Sequence, residues 1–299
     1  MLSVGPLPAS RGLTGATGDE AARLRAALEA RTTQLAIVLD ALGTRDREDA
    51  MQREWDFALQ LQAGSLPNEF PAFPGRQEFD IRAGLVTALQ VGGDVYDFFL
   101  LDAGRLAFVV ADASGKGLPA AVFITRMRAL LRAAARREGD PARCLALLNE
   151  LLCIENAELM FVTAFYGVLD TRTGTVAFAN AGHNPPVRVR ADGRAALLEH
   201  PPAPMLGVME EVRYATGTLA LAPGDTLCCY SDGITEAHDP QDQLFGEGRL
   251  LDTLSRHAGD GLMAMEAALI GAVDRYIASA AVADDLTVLL LRWNGHAAG

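Results

Sequence analysis

Four short acidic motifs lie at wide intervals along this 299-residue chain: Gly92-Gly93-Asp94, Asp112-Ala113-Ser114-Gly115-Lys116-Gly117, Ser231-Asp232-Gly233 and Asp284-Asp285. Three of them adjoin apolar runs that read as strands. Val109-Val110-Ala111 leads into Asp112, Thr226 to Tyr230 leads into Ser231-Asp232, and Asp284-Asp285 comes just before Leu286 to Leu291. A carboxylate at the end of a buried strand costs free energy unless something compensates its charge. Few Lys or Arg residues lie near these motifs, so the compensating charge points to hard divalent cations such as Mg²⁺ or Mn²⁺. Metal-assisted hydrolysis is therefore the first chemistry to consider.

Other chemistries find less support. None of Cys144, Cys153, Cys228 and Cys229 has an Arg six residues later, as a thiolate phosphatase loop needs, and their spacing does not suit zinc. No Gly-x-Ser-x-Gly elbow is present for a serine nucleophile. Gly115-Lys116 is followed by Gly117 rather than Ser or Thr, so there is no phosphate-binding P-loop of the nucleotide hydrolases. Gly115-x-Gly117-x-x-Ala120 does fit the loose dinucleotide fingerprint between a strand and a helix, which keeps a dinucleotide-binding enzyme as an alternative. Against it stand the Asp112 carboxylate beside the would-be anion and the two consecutive helical segments that follow.

The elements that must position these residues show in the hydrophobic pattern. Residues 1–18 are rich in Gly, Pro, Ser and Thr and read as a disordered tail. From residue 19 to 64 the pattern is helical, with Leu24, Leu28, Leu35, Val38 and Leu42 forming an interrupted apolar seam that suits either packing on its own domain or a dimer-forming signalling helix. From Phe79 the pattern becomes short strands (Phe79 to Val86, Asp97 to Leu101, Leu106 to Ala111). Helices are expected over Pro119 to Arg137 and Pro141 to Ile154. Strands follow at Phe161 to Leu169, Val176 to Asn180, Val187 to Arg190, Tyr214 to Leu219 and Thr226 to Tyr230. Helices at Gly246 to His257 and Leu262 to Ser279 precede a last strand, Leu286 to Trp293. Runs of strands alternating with pairs of helices predict an α+β domain of antiparallel sheets covered by helices.

Composition narrows the partners. With 26 basic and 38 acidic residues the formal net charge is −12, and no basic stripe is present. Nucleic acid and anionic membrane are not expected as partners. The first 18 residues lack the apolar core of a signal peptide and no run is long enough to span a bilayer, so a cytoplasmic protein is expected. Adjacent Cys228-Cys229 read as reduced strand residues rather than a disulfide.

Taken in order, these motifs resemble a family. Gly92-Gly93-Asp94-Val95-Tyr96-Asp97-Phe98-Phe99, Asp112 to Ala121, Phe161-Val162-Thr163, Asn180-Ala181-Gly182-His183-Asn184-Pro185-Pro186, Pro223-Gly224-Asp225, Tyr230 to Ala237, Phe245-Gly246 and Asp284-Asp285-Leu286-Thr287 are similar to the bacterial sporulation-stage-II-E-type branch of PPM metal-dependent serine/threonine phosphatases. The lead-in from Ala58 to Pro67 also resembles that branch, so the match covers roughly residues 58–293. Ala113 replaces a usual Val and Ser231 a usual Thr; no expected acidic position is lost.

The resemblance implies a four-layer αββα sandwich over residues 65–295, preceded by the N-terminal helix, and a site for two Mn²⁺ or Mg²⁺ ions. Asp112 would bridge both ions with the Ala113 carbonyl as a further ligand, Asp94 would serve one ion, and Asp232 with Asp284 would hold the other. Asp285 is an alternative to Asp284, because strand neighbours point to opposite faces. Lys116 could attract the phosphate or contact the substrate, His183 could be a general acid or a structural hydrogen-bonding residue, and Asp97 and Glu236 could support the site or simply face solvent. The implied substrate is a phosphorylated STAS-type anti-sigma-factor antagonist in a partner-switching circuit, with a homodimer through the N-terminal helix as a further expectation. A non-catalytic docking or metal-sensing module of the same fold is the rival reading.

Overall fold

The computed structural model describes Gly64 and residues 66–295, apart from Gln90, Glu155, Ser279, Ala281 and Val282. The expected tail over 1–18 and the helix over 19–64, with its dimer seam, lie outside the described residues.

Among the described residues, ten strands form two antiparallel sheets. The first has the order β1 (Phe79–Val86), β10 (Leu286–Trp293), β9 (Thr226–Tyr230), β6 (Val187–Val189) and β7 (Ala195–Leu197). The second has the order β2 (Asp94–Asp102), β3 (Arg105–Ala113), β4 (Val162–Asp170), β5 (Thr175–Ala181) and β8 (Gly217–Ala220). The edge strand β1 alternates, burying Phe79, Ile81 and Ala83 on one face. Interior strand β3 does not alternate: Leu106 to Ala111 are all buried. A strand covered by a sheet on one face and a helix on the other has no wet side, so its sequence is continuously apolar.

Two helices cover the second sheet. Helix α1 (Leu118–Arg137) starts after Gly117, whose φ of 73° suits glycine, and buries Ala120, Ile124, Met127 and Leu131 at helical spacing. Arg136 and Arg137 fall in its last turn, where the helix dipole favours cations. Helix α2 (Pro141–Cys153) is capped by the Asp140 carboxylate, which accepts from Arg143 N at 3.0 Å, and has Pro141 in its first turn. The first sheet carries α4 (Gly246–Arg256) and α5 (Leu262–Ile277). One apolar core runs from α1 and α2 through the second sheet to the inner face of the first; another lies between the first sheet and α4 and α5. This is the expected helix–sheet–sheet–helix layering.

Differences from the sequence reading are local. The one-turn helix α3 (Asp232–Glu236) and strand β7 were not expected, and β8 begins at Gly217 rather than Tyr214. Three-residue strands and single helical turns carry too few residues for a period to show. Strand β3 is antiparallel to both its neighbours, β2 and β4. The loop Gly115 to Gly117 therefore lies outside any βαβ unit, which removes the context that the dinucleotide alternative needs. Among the described residues no helix is long and apolar enough to cross a membrane.

One buried ion cluster ties α1 to its sheet. Asp97 on β2 is wholly buried, and its carboxylate accepts from Arg132 Nε at 2.6 Å and Nη2 at 2.7 Å. Arg128 Nε lies 2.9 Å from the same carboxylate, and the Arg132 guanidinium sits 4.6 Å over the Phe99 ring. Two-pronged pairing of this kind fixes geometry as well as charge. Removing one member of a buried cluster leaves the others uncompensated. Asp97→Ala is expected to lower the unfolding free energy by about 3 kcal/mol, read as a lower denaturant midpoint at unchanged m-value.

Candidate active site

The antiparallel register places Asp94, the first residue of β2, directly opposite Asp112 near the end of β3. Like charges at opposed positions repel. The backbone draws them closer still: Ala113 N donates to the Gly93 carbonyl at 3.0 Å. A Cβ on Gly93 would lie 3.0 Å from the Ala113 carbonyl oxygen and 3.4 Å from Asp112 Oδ1, so a side chain there would crowd both groups.

The other sheet delivers Asp232 and Asp284. Strand β9 ends at Tyr230, β10 begins at Leu286, and the two pair in antiparallel register. Ser231 binds the gap between them. Its Oγ donates to the Asp285 carbonyl at 3.1 Å and accepts from Thr287 N at 3.0 Å. Gly233 packs against the Asp285 backbone so tightly that any Cβ would collide with that carbonyl. Thr287 then reaches across the sandwich, its hydroxyl donating to Asp94 Oδ2 at 2.5 Å.

The structure separates the adjacent aspartates. Asp285 is buried and its carboxylate is committed to main-chain amides, accepting from Ala88 N at 2.8 Å and Asp94 N at 3.3 Å. Asp284 is about half exposed and pairs with Lys116, whose Nζ lies 2.9 Å from Asp284 Oδ2 and donates to the Ala283 carbonyl at 2.5 Å. Strand alternation explains the split: Asp285 and Thr287 share one face and both engage Asp94.

Electrostatics reports how crowded the acids are. The Asp94 carboxyl is held well above its ordinary range by burial and by Asp112, and the Thr287 and Ser231 hydroxyls only partly oppose this. Burial, then Asp232 and Asp284, push Asp112 up to about 7. Asp232 is raised by burial, then by Glu236 and Asp284. The Lys116 ammonium is raised chiefly by its bond to Asp284. Four carboxylates from two sheets thus share one electrostatic basin.

Among the described residues, no three acidic, His or Cys side chains converge on a common point as a ready-made cation shell. Asp94 accepts from Thr287, and Asp284 pairs with Lys116. The donor set nonetheless suits a hard cation: oxygen ligands, raised carboxyls, and a mutual repulsion that a divalent ion would relieve.

The remaining candidates fall apart from this basin or at its rim. Asp97 serves the α1 cluster instead. Glu236, at the end of α3, is exposed. A cavity of about 490 Å³ opens beside Lys116 and Asp284, bordered by Glu236, His238, Leu244 and Leu286. His183 is buried, with Nδ1 2.8 Å from Thr163 Oγ1. Cys144, Cys228 and Cys229 are buried and Cys153 partly so, and burial raises all four thiols; Cys144 reaches about 12. Sequence reasoning missed Thr287 and Thr163 as working residues. The two-residue spacing from Asp285 to Thr287 was the available signal for the first.

Comparison with known proteins agrees with this geometry. The family model for stage II sporulation protein E (SpoIIE) matches residues 102–294. Protein IcfG of a Synechocystis species is 30% identical over 287 residues, covering 86% of this chain and 44% of that protein. Phosphoserine phosphatase RsbU of Bacillus subtilis is 26% identical over 192 residues, covering 64% of this chain and 56% of that one. This chain therefore spans about half the length of these curated relatives. Among solved structures, the SiaA-PP2C domain of Pseudomonas aeruginosa superposes with a TM-score of 0.72 at 25% identity, covering 82% of this chain and 98% of that domain. Motif order, two five-stranded antiparallel sheets flanked by helices, and the family match lead to one conclusion: the chain belongs to the SpoIIE family of PP2C-type phosphatases.

Proposed function

We propose that this chain is a Mn²⁺- or Mg²⁺-dependent phosphatase acting on phosphoserine or phosphothreonine of a regulatory protein. The observation that carries the proposal is the meeting of Asp94 and Asp112, set opposite each other by strand register, with Asp232 just after β9 and Asp284 just before β10 of the other sheet. In this reading Asp112 and the Ala113 carbonyl, with Asp94, Asp232 and Asp284, would hold two ions, and Asp285 supports them through the backbone. Bound there, such ions would supply Lewis-acid polarisation of phosphoryl oxygens and would lower the pKa of water toward neutrality. Support for magnesium comes from RsbX, a protein of the same fold at 16% identity that was crystallised with that ion.

The chain's own residues do the positioning. Asp94 and Asp112, once deprotonated, would present carboxylate oxygens as ligands at the shared end of β2 and β3. Lys116 is tethered to Asp284 by an ion pair with both side chains about half exposed, so it exchanges partners cheaply. Released from Asp284, its ammonium is placed to meet a phosphate approaching through the neighbouring cavity. No thiol takes part, because burial keeps all four protonated.

The substrate class we infer is a phosphorylated STAS-type anti-sigma-factor antagonist. It rests on the motif series and on the relatives RsbU and RsbP, both phosphoserine phosphatases of Bacillus subtilis. The deciding measurement is phosphate release from phosphorylated STAS proteins encoded by the same genome. Activity is expected with Mn²⁺, none with EDTA, and no loss after iodoacetamide treatment. Asp232→Asn is expected to reduce turnover by about 100-fold or more while leaving the circular-dichroism spectrum unchanged. Wild-type turnover in EDTA would remove the metal from the reaction.

The metal-free protein should show the strain of its own site. The folded Asp112 carboxyl keeps its proton up to about pH 7 against an ordinary value of 3.8. Between those values the folded state binds more protons than the unfolded, so this group makes stability fall as pH rises. Asp112→Asn is expected to flatten that slope and to raise the unfolding free energy at pH 7.5 by about 1–2 kcal/mol in chelator. Urea unfolding from pH 4.5 to 8, with and without Mn²⁺, checks both statements.

A further inference from the structure

His183 belongs to no carboxylate motif, yet its surroundings connect two of them. Strand β5 ends at Ala181, and Gly182 turns the chain with a φ of 70°. The Asn180 side chain then grips the His183 main chain on both sides. Asn180 Oδ1 accepts from His183 N at 2.7 Å and Nδ2 donates to the His183 carbonyl at 2.9 Å. The clamp holds the ring in the interior, where only 5% of the residue is exposed.

Each side of the ring faces a strand that matters. Nδ1 lies 2.8 Å from Thr163 Oγ1, and Thr163 is the residue directly opposite Asp112 in the β3–β4 ladder. The other contact is with the backbone of Tyr230, the last residue of β9 and two positions before Asp232. That contact favours the protonated ring, so it is made with the carbonyl. Burial outweighs it and holds the imidazole down at about 4. In a neutral ring with the proton on Nε2, Nδ1 accepts from the Thr163 hydroxyl and Nε2–H is left for the Tyr230 side. Nε2 is buried and makes no hydrogen bond of normal geometry, so this side of the ring is a close approach rather than a full bond.

We propose that His183 is a positioning residue, a neutral imidazole brace between the strand behind Asp112 and the strand end that carries Asp232. It sets the spacing of carboxylates that come from opposite sheets, alongside the links that Thr287, Asp285 and Lys116 make across the same gap. A general acid needs a pKa near the working pH and access to the leaving group; this ring has neither. The proposal rests on the two-metal reading of the site.

Three variants of the full chain test it: Thr163→Val, which removes one hydroxyl at nearly constant shape, His183→Phe, which keeps a ring but no nitrogen, and His183→Asn, which keeps one polar arm. Mn²⁺ affinity by calorimetry is expected to fall about tenfold or more in Thr163→Val and His183→Phe, with His183→Asn between them and wild type. Cooperative unfolding should persist, and Thr163→Val carries the test if His183→Phe does not fold. Ring ¹⁵N shifts of the wild type are expected to show the neutral Nε2–H tautomer from pH 5 to 8. Affinities within twofold of wild type, or a ring that titrates near the free value of about 6.5, would overturn the brace. If the wild type itself binds no Mn²⁺, the two-metal reading fails. The brace is then judged by the ring tautomer and by whether Thr163→Val shifts the ¹³C carboxyl resonances of Asp112 and Asp232.

Discussion

Asp94 and Asp112 face each other because β2 and β3 pair in one register, and that opposition governs the site. Burial raises both carboxyls above the ordinary range; Asp112 adds to the rise at Asp94, and Asp232 and Asp284 add to it at Asp112. The surrounding details answer the same problem. Thr287 donates a hydroxyl hydrogen bond to Asp94, Gly93 keeps its side of the ladder clear, and Asp285 directs its carboxylate to main-chain amides. Sites of this kind keep a stability cost in the fold because the same crowding makes them receptive to a ligand.

The sandwich divides the site between its two layers. One sheet carries Asp94 and Asp112, and the other carries Asp232 and Asp284. The distance between carboxylates then depends on how the sheets lie on each other, not on either sheet alone. Ser231 and Thr287 bridge the gap beside the acids, and His183 spans it behind them. A cation held by all four residues would therefore pull on the packing of two sheets.

Helix α1 begins three residues after Gly115 in the loop that carries Lys116, and the Asp97 cluster anchors it to β2 a few residues from Asp94. That linkage is stiff at the Arg128–Arg132 end and loose at the exposed Lys116–Asp284 pair. Gly117 and the first turns of α1 join the buried ion cluster to the exposed pair.

Much of this was legible in the order of residues. Strand and helix periods marked nearly every long element, because a strand with one wet face alternates and a covered helix repeats at 3.6. The acidic motifs identified Asp94, Asp112, Asp232 and Asp284 as a group because local chemistry leaves its mark in local sequence. Tertiary structure alone decided what depends on distances between segments. It assigned Asp284 to the open side and Asp285 to the backbone, since side-chain direction follows the pleat and not the composition. It took Asp97 out of the site and into a buried cluster with two arginines more than thirty positions away. It also placed His183 between Thr163 and Tyr230, contacts 20 and 47 positions apart along the chain that no local pattern encodes. Residue types set what chemistry was available; strand register and sheet packing decided which atoms meet.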